Sequence, residues 1–473
     1  MPSSRTVIER AVDLGFDLAG IAPLGIWKDL EFSREWVEKG FNGEMRYLDN
    51  PKRFDPLLVM PSAKSVICVG LVYNASLPYS TEVAGAGKRW EPRGRSQETE
   101  GKVSGIRCRV PGKESKEDFR IAQAPSHQPL ASFFSDGQRT PGNGRSAPRA
   151  WISRYAWGRD YHEVMRAKLE QLRVVLNELA PGVETRVFVD TGPVVERAFA
   201  RFSGIGWMGK NTCIINEDKG SWFVLGIILS SLELAPDLPA PDRCGSCTAC
   251  LEACPTGALV EPYLMDASRC ISYLTIELRG PIPGEFRPKI GANVFGCDIC
   301  QDVCPWNGGY QSSAISRQQP SPQQGQPGDR CRATHPAITK VPQFHPMIVQ
   351  PAHPIVSEGG AREPLTTNHG PRTANEAPGT TDHGRRTKDK ASFSLFNPPL
   401  EALASLSEED FRRIFVHSPI KRAKWRGWLR NLAVAIGNSG DKRFVPWLER
   451  TAQHSDPVVR EHATWALERL QGK

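Results

Sequence analysis

The chain has 473 residues, of which 39% are hydrophobic and 24% charged, which is enough apolar material for two or three globular domains. Its formal net charge of +8 permits an anionic partner without proving one, because a charge of this size also favours solubility. The longest apolar run, WFVLGIILSSLELA from Trp222, is too short and too interrupted to span a bilayer, and the N-terminus lacks the apolar core of a signal peptide. We therefore expect a cytoplasmic protein rather than a membrane or exported one.

The N-terminal region, residues 1–235, alternates helix-like and strand-like segments. In chain order these include TVIERAVDLGFDLAGIAP, AKSVICVGLVYN, HEVMRAKLEQLRVVLNEL, TRVFVD and SWFVLGIILSS. The alternation predicts an α+β or α/β sheet domain. Two further stretches, ISRYAWGRDYHEVM and VDTGPVVERAFARFSGIGWMGKNTCII, place glycines and polar residues at predicted strand ends, where ligands bind. The GIGWMGKN piece fits neither the P-loop nor the dinucleotide-binding pattern.

Two stretches have the composition of insertions, residues 80–148 and residues 311–391. Both are rich in Pro, Gly, Ser, Gln and charge, as in SRQQPSPQQGQPGDR, and neither shows a sustained apolar period. We predict that both are disordered or loosely held surface loops that carry none of the chemistry.

The central region, residues 236–310, contains a cysteine pattern typical of iron–sulfur proteins. CGSCTACLEACP, which begins at Cys244, has the spacing C-x2-C-x2-C-x3-C-P of a bacterial-type ferredoxin. A zinc site usually stops at two cysteines per knuckle, and disulfide frameworks belong to small secreted domains. FGCDICQDVCPWN repeats the pattern one ligand short, and Cys270 can supply the missing ligand.

In two-cluster ferredoxins the fourth cysteine of a run ligates the other cluster. The ligands predicted for one 4Fe-4S cluster are therefore Cys244, Cys247, Cys250 and Cys304. Those predicted for the other are Cys254, Cys270, Cys297 and Cys300. The remaining cysteines are isolated in sequence, and we interpret them as small buried hydrophobes or idle loop thiols: Cys68, Cys108, Cys213 and Cys331.

The C-terminal region, residues 392–473, is basic and has a helical pattern. SPIKRAKWRGWLRNLAVAIGN interleaves basic residues with tryptophans, and DPVVREHATWALERL resembles the second helix of a HEAT-type pair. A basic platform beside a redox module suggests a phosphate-backbone ligand such as RNA. The alternative is a helical cap whose charges are only solvated. The residues predicted to contact the nucleic acid are Lys421, Arg422, Lys424 and Arg426.

A set of motifs in chain order resembles the epoxyqueuosine reductase family. They are RFDP, ISRYAWGRDYH, VDTGPVVERAFA, GIGWMGKNT, the two cysteine runs, CISYLTIE, CPWN and SPIKRAKWRGWLRN. The resemblance implies an α+β multidomain fold: a cobalamin-binding α/β domain related to reductive dehalogenases, a ferredoxin-like two-cluster 4Fe-4S domain and a C-terminal HEAT-like α-helical domain. This sequence departs from the family pattern at the two insertions, where the family has short loops.

The resemblance also implies an activity and its chemistry. The family reduces the epoxide of epoxyqueuosine in tRNA to the cyclopentene of queuosine. Removing an epoxide oxygen takes two electrons, at least one proton and a strongly reducing nucleophile, which side chains alone cannot supply. Cobalamin in its Co(I) state can supply such a nucleophile, and the two clusters would pass electrons to it from an external donor.

Site residues follow from the same resemblance. Asp190 in VDTGPV matches the family's proposed proton donor, and we expect burial against the corrin and the modified base to raise its pKa toward the working pH. The alternative is a carboxylate that caps the following helix. The residues that match cobalamin-lining positions are Arg53, Ser153, Arg154, Tyr155, Asp190, Asn211 and Ser272. His162 is interpreted as a structural histidine, because the family holds cobalamin without a protein histidine below the cobalt.

Two other function classes compete with this interpretation. A corrinoid reductive dehalogenase would share cobalamin and clusters but act on small organohalides, and it usually carries an export signal. The basic tail argues against it. A plain electron carrier would need only the cysteine module and leaves the N-terminal region unexplained.

The cysteine count predicts the iron content. After anaerobic reconstitution we expect about eight iron atoms per chain, since two four-iron clusters need eight thiolates. Cys270→Ala should damage one cluster and spare the one built on Cys244, Cys247, Cys250 and Cys304. Iron analysis with electron paramagnetic resonance of the reduced protein measures both, and equal loss of the two clusters would contradict the ligand assignment.

Overall fold

The structure, a computed structural model, describes residues 2–25, 27–83, 147–308, 337–351 and 392–472. Within these ranges there is no helix with the length and apolar character needed to cross a membrane. Cys108, Cys331 and most of the two predicted insertions lie outside the described residues.

The N-terminal region is built on one sheet with helices on both faces. Its elements in chain order are α1 Ser4–Asp13, β1 Leu18–Ala22, α2 Trp27–Glu38, β2 Ser65–Val72, β3 Trp151–Ile152, α3 Tyr161–Leu179, β4 Thr185–Phe188, α4 Glu196–Phe202, β5 Trp207–Met208, β6 Ile214–Ile215 and β7 Phe223–Ser230.

The main sheet has four strands in the order β1-β2-β7-β4, and every neighbouring pair is antiparallel. This region is therefore of the α+β class. The expectation of an α/β domain is wrong for this sheet, because α/β folds place crossover helices between parallel strands. The alternation of helical and strand patterns along the sequence does not reveal strand direction.

Alternate side chains of the fully buried strand β2 enter two different layers of the core. Ile67 and Leu71 pack in the layer formed with α1 and α3. Val66 and Cys68 pack in the layer formed with α4. Burial raises the pKa of the Cys68 thiol to about 12, so this thiol is a neutral core group.

The cysteine-rich region consists of short elements. They are α5 Ala249–Ala253, β8 Leu259–Glu261, β9 Leu264–Met265, α6 Ile271–Ile276, α7 Arg287–Ile290, β10 Asn293–Phe295 and α8 Ile299–Asp302. β10 pairs in parallel with β3, so the ISRYAWG segment lies directly beside the second cysteine run.

The C-terminal helices pack onto this region. After β11 Ile348–Val349 and β12 Phe393–Ser394 they are α9 Leu400–Ala404, α10 Glu408–Ile414, α11 Lys424–Ser439, α12 Val445–Thr451 and α13 Pro457–Gln471. α11 contacts both α13 and β10. Arg430 of α11 is 1% exposed and donates hydrogen bonds to the carbonyls of Leu274, Leu278 and Gly280. This basic residue of the tail is therefore a clamp between α11 and the segment around α6.

Part of the second predicted insertion belongs to the core. Residues 337–351 include a 3-10 turn and β11, which pairs with β12, and Val341, Phe344 and Val349 are buried. The prediction of a disordered loop is wrong for these residues, because a few well-spaced apolar side chains can anchor an irregular segment without any helical or strand period. Gly158 of the YAWG motif lies under this segment, and a Cβ there would meet the Gln343 carbonyl oxygen at 2.2 Å.

Candidate active site

A cavity of about 1500 Å³ opens among the sheet, the segment after β4 and the cysteine-rich region. It exceeds the usual 300–1,000 Å³ of a small-molecule pocket. The aromatic side chains in its wall include Trp36, Tyr47, Phe54, Tyr155, Tyr161 and Trp207. Such a cavity suits a large ligand with a flat apolar face.

Asp190 lies in the cavity wall just beyond β4. Its backbone has φ 51, a left-handed conformation that Asp adopts more readily than most residues. The capping alternative does not hold for α4, because the N-cap of that helix is Val195 and no side-chain hydrogen bond caps it. The half-exposed carboxylate of Asp190 is instead directed toward charged neighbours.

His162 bridges two carboxylates. Its Nδ1 lies 2.7 Å from Asp160 Oδ1 and its Nε2 lies 3.3 Å from Asp190 Oδ2. Burial by itself lowers the pKa of His162, but the hydrogen bonds and charges of the two carboxylates outweigh it and raise the pKa to about 9. His162 is therefore protonated at neutral pH, with both ring nitrogens engaged as donors.

The pKa of Asp190 is shifted in the opposite sense from our expectation. Burial would raise it, but the hydrogen bond and charge of His162, the charge of Arg422 and a hydrogen bond from Tyr161 lower it below its ordinary value. The expectation of a raised pKa is thus wrong for this structure. Asp190 is ionised at neutral pH, and the exchangeable protons beside it are those on His162 Nε2 and on the Tyr161 hydroxyl.

Two basic residues of the tail complete a ring of charges around His162. Lys421 Nζ lies 2.9 Å from Asp160 Oδ2, and Arg422 Nη1 lies 3.6 Å from Asp190 Oδ2. The ring therefore runs from Lys421 through Asp160, His162 and Asp190 to Arg422, which follows Lys421 in the chain. It connects the basic tail directly to the cavity.

Arg422 is further held by Glu277 and Tyr47. Its Nε lies 2.6 Å from Glu277 Oε1, and its Nη2 donates to the Tyr47 hydroxyl at 3.2 Å. Glu277 and Tyr47 also line the cavity. Sequence reasoning missed both. Tyr47 lies outside the motifs, and although Glu277 ends the CISYLTIE motif, no local pattern indicates its contact with Arg422, which belongs to a distant segment.

The predicted cobalamin-binding residues separate into two groups. Arg53, Tyr155, Asp190 and Ser272 line the cavity, and Arg53 Nη1 donates to the Gly192 carbonyl at 2.6 Å. That hydrogen bond ties the RFDP segment to the loop that carries Asp190.

The other three predicted residues are absent from the cavity wall and are buried in other contacts. Ser153 donates to Asp298, and the Arg154 guanidinium donates to the carbonyls of Ala75, Leu77 and Pro78. Asn211 donates to the Cys300 carbonyl at 3.1 Å. In this structure Ser153 and Asn211 hold the segment around the second cysteine run, and Arg154 holds the segment that follows β2.

The structure brings the cysteines together in the two predicted groups. Electrostatic interactions connect Cys304 with Cys244 and Cys250, and Cys250 with Cys247. A separate set connects Cys270, Cys254, Cys297 and Cys300. Cys270 also lines the cavity, so the second group adjoins the space that Asp190 faces.

Several of these thiols, among them those of Cys250 and Cys304, are hard to ionise without metal. Burial, reinforced by neighbouring thiolates, raises the pKa of Cys250 and of Cys304 to about 12. Bound iron would reverse this penalty, because a coordinating thiol is deprotonated by the positive metal. Among the described residues, no three His, Cys, Asp or Glu side chains are arranged to hold a single metal ion.

Cys213 lies closer to the predicted cluster ligands than its isolated position in the sequence suggested. Its thiol lies beside the thiol of Cys300, a predicted cluster ligand, and each thiol shifts the pKa of the other. The pair forms because the turn between β5 and β6 lies beside α8, a contact that no local pattern indicates.

The four side chains predicted to contact nucleic acid differ in the ion pairs and hydrogen bonds that they already form within the protein. Lys421 and Arg422 belong to the charge ring, and Arg426 pairs with Asp456 at 3.1 Å. Lys424 is exposed, and no ion pair or hydrogen bond to another described residue engages its side chain. Its ammonium is therefore the most available of the four.

Replacing His162 by Gln tests the charge arrangement. Burial lowers the pKa of His162, but Asp160 and Asp190 raise it from 6.5 to about 9. The resulting stabilisation is present in full below pH 6.5 and is lost as the pH rises through 9. We expect wild type and His162→Gln to differ most in free energy of unfolding at about pH 6 and least at about pH 10, measured by urea titration. The surface change His345→Gln is the control, and a difference independent of pH would contradict the ring.

Comparisons with known proteins bear on the whole chain. The family model "4Fe-4S double cluster binding domain" matches residues 243–307, and the model "Epoxyqueuosine reductase QueG, DUF1730" matches residues 131–191. An epoxyqueuosine reductase of Pseudomonas aeruginosa is 34% identical over 97% of this chain and 91% of its own length. An epoxyqueuosine reductase of Xanthomonas campestris is 31% identical over 97% of this chain and 93% of its own length.

Solved structures agree with these matches. A selenomethionine-labelled epoxyqueuosine reductase superposes with a TM-score of 0.64 at 25% identity, covering 98% of this chain and 90% of that one. An epoxyqueuosine reductase in complex with an epoxyqueuosine-modified tRNA-Tyr stem loop gives a TM-score of 0.63 at 25% identity, covering 98% and 89%. The resemblance inferred from the motifs is confirmed, and the chain, an oxidoreductase with a double 4Fe-4S cluster binding domain, belongs to the epoxyqueuosine reductase family.

Proposed function

We propose that this chain reduces the epoxide of epoxyqueuosine at the wobble position of tRNA, the final step of queuosine formation, with cobalamin and two 4Fe-4S clusters. The observation that carries the proposal is a single cavity lined both by Asp190 and by Cys270 of the second cysteine group. A proton-transfer network and an electron-transfer ligand thus face the same space.

The reaction defines what the chain must provide. Converting an epoxide to an alkene consumes two electrons and two protons and releases the oxygen as water. Cobalamin, when bound, supplies a strongly reducing cobalt nucleophile, and the clusters supply one-electron transfer from an external donor. The protein's own residues bind the reactants, exclude water and move the protons.

The cavity fits cobalamin by size and by lining. Its volume of about 1500 Å³ and its aromatic wall suit a corrin, and Arg53, Tyr155 and Ser272 are the residues we propose to contact it. His162 is absent from that wall and both its ring nitrogens are engaged, which agrees with a cofactor held without a protein histidine ligand. Ser153, Arg154 and Asn211 would support the site through the backbone they hold.

Asp190 and His162 together can deliver a proton. As negative charge develops on the epoxide oxygen, the proton on His162 Nε2 moves to Asp190 Oδ2 and on to that oxygen. Solvent then reprotonates His162, and the second proton follows the same route as the oxygen leaves as water. Asp190 acts as the proton donor to the substrate, and His162 holds the proton until it is needed.

The C-terminal helices form the proposed tRNA platform. α11 and α13 pack side by side, as a HEAT-like pair requires, and α13 begins where Asp456 caps the N–H groups of Val458 and Val459. Arg422 links this platform to Asp190, so an anticodon docked on the basic segment would lie at the cavity mouth. A dehalogenase acting on small organohalides would have no use for such a link, and an electron carrier would not need the cavity.

Changing Asp190 to Asn tests the proton donor. The amide keeps the shape but cannot pass a proton, so we expect turnover of epoxyqueuosine-containing tRNA to fall by roughly 10²-fold or more. Bound cobalamin, measured by absorbance, and iron content should be unchanged. Asp218→Asn makes the same chemical change on the surface and should be neutral. Near-normal turnover of Asp190→Asn, or failure through lost cobalamin alone, would remove the proton-donor role.

Changing Lys424 to Gln tests the platform. Because phosphate contacts release counterions, we expect the affinity for tRNA to fall steeply as the salt concentration rises. In a plot of the logarithm of the association constant against the logarithm of salt concentration, the variant's slope should be less steep by about one. Turnover at saturating tRNA should not change, since Lys424 is outside the charge ring. Lys64→Gln, before β2, is the control. Affinity independent of salt would favour the solvated-cap interpretation.

A further inference from the structure

The GIGWMGKN segment, residues 204–211, runs through β5 into the turn before β6 and lies beside both cysteine runs. Its Asn211 donates to the Cys300 carbonyl of the second run. Neither the P-loop nor the dinucleotide-binding pattern fits this segment, so its lysine needs another explanation. Lys210 and Trp207 contact the loop or the side chains of the first cysteine group, which consists of Cys244, Cys247, Cys250 and Cys304.

Lys210 is a buried cation without an anionic partner. It is 9% exposed, and its Nζ donates to the Gly245 carbonyl at 2.6 Å and to the Cys247 carbonyl at 3.0 Å. Within the described ranges no carboxylate forms an ion pair with it, and Glu217 of the following turn pairs with Arg243 instead. A buried charge is costly unless an opposite charge balances it, and two carbonyl dipoles balance an ammonium only in part.

Trp207 is a buried donor without an acceptor. It is 2% exposed, and its Nε1 has no hydrogen-bond partner among the described residues. Its side chain packs with Cys304 and Cys244, and its ring lies edge to face with that of Trp306 at 4.9 Å between centroids. Unpaired buried donors are rare in folded proteins. This one lies beside sulfur atoms that bound iron would convert to thiolates.

Both residues favour negative charge on the same sulfur atom. Burial raises the pKa of Cys244, and the backbone N–H of Lys210 and then the indole N–H of Trp207 oppose that rise. The charge of Asp242 adds to the rise, and the charge of Lys210 again opposes it. The indole thus lies close enough to Cys244 to favour its thiolate, although it forms no hydrogen bond with the neutral thiol.

We infer that Lys210 and Trp207 are positioning residues of the first 4Fe-4S cluster, and that they raise its reduction potential by placing a cation and an N–H donor beside its thiolate ligands. A thiolate-held 4Fe-4S cluster is anionic, and reduction adds one more negative charge. Nearby positive charge and donors to sulfur therefore stabilise the reduced form more than the oxidised form. The inference rests on the ligand set proposed for this cluster and is independent of cobalamin.

Redox titration of the cluster-reconstituted full chain, followed by electron paramagnetic resonance, tests the role of Lys210. Lys210→Met and Lys210→Gln both remove the charge, and Gln keeps N–H donors for the loop carbonyls. In both variants we expect the equilibrium constant for reduction of the first cluster to fall by on the order of tenfold, a shift of about 59 mV to more negative potential. Lys210→Arg keeps the charge and should stay near wild type.

Trp207→Phe tests the indole, because it keeps an aromatic ring and removes the N–H. We expect the same constant to fall by about threefold, or about 28 mV. The midpoint potential of the second cluster should not move in any of these variants. Cys270→Ala, which should spare the first cluster, identifies the midpoint that belongs to it.

Matched controls remove the same groups elsewhere. Lys168→Met removes a lysine that donates to the Leu14 carbonyl at 2.7 Å on a different part of the chain. Trp428→Phe removes another buried indole N–H without a partner. Neither change should move a midpoint potential. Iron content should remain about eight per chain in every variant outside Cys270, since two four-iron clusters are kept.

The outcomes are distinct. A wild-type potential in Lys210→Gln would make Lys210 only an anchor of the loop, and loss of the first cluster's iron from both neutral variants would make it a requirement for assembly; either result overturns its tuning role. An unchanged potential in Trp207→Phe with weaker binding of hydroxocobalamin would assign the indole to a ligand of the cavity, which Trp207 also lines, and overturn its part. A wild-type chain that assembles only the second cluster would overturn the proposed ligand set, and the inference with it.

Discussion

The architecture around the cavity depends on one buried carboxylate, that of Asp298. It accepts hydrogen bonds from Trp151 Nε1 at 3.0 Å, the Ser153 hydroxyl at 2.5 Å and the Arg154 backbone N–H at 2.7 Å. Burial raises the pKa of Asp298, and these three donors oppose that shift. Because Asp298 follows Cys297 directly, the same bonds fix one cysteine run against the ISRYAWG segment. A loose Asp298 would leave both β3 and the second cysteine group without an anchor.

Arg154 extends this constraint to the sheet. Its buried guanidinium donates to three carbonyls just after β2 and lies over the rings of Tyr79, Trp157 and Trp222. Carbonyl dipoles and aromatic faces therefore offset its charge, rather than a salt bridge. Arg430 is likewise held by carbonyl oxygens, those of Leu274, Leu278 and Gly280, and burial lowers its pKa to about 10. Two buried arginines thus join the sheet, the cysteine-rich region and the C-terminal helices into one support for the cavity.

The charge ring adds a functional consequence to that support. Asp190 has a left-handed backbone, and His162 and Arg422 keep its carboxylate ionised. Arg422 belongs to the segment proposed to bind tRNA. A polyanion that drew Arg422 away would raise the proton affinity of Asp190. The proposed proton-transfer residues and the segment proposed to bind tRNA are therefore connected through the two ion pairs of the charge ring, Arg422 with Asp190 and Lys421 with Asp160.

The sequence by itself determined what lies within short stretches of chain. The cysteine spacing specified a double-cluster domain because ligands of one loop are held together by covalent geometry, and the motif order specified the family. The motifs also selected Asp190, Arg53, Tyr155 and Ser272, which line the cavity. Only the tertiary structure decided the direction of the strands and the burial of residues within 337–351. It also placed Arg154 and Arg430 as clamps between segments. The contacts of Asp190 with Arg422 and of Cys213 with Cys300 likewise appear only in the folded chain. These depend on contacts between segments far apart in the chain, for which no local spacing exists. The unpaired indole N–H of Trp207 is of the same kind, since burial without a partner is a property of the packed chain and not of the GIGWMGKN segment that contains it.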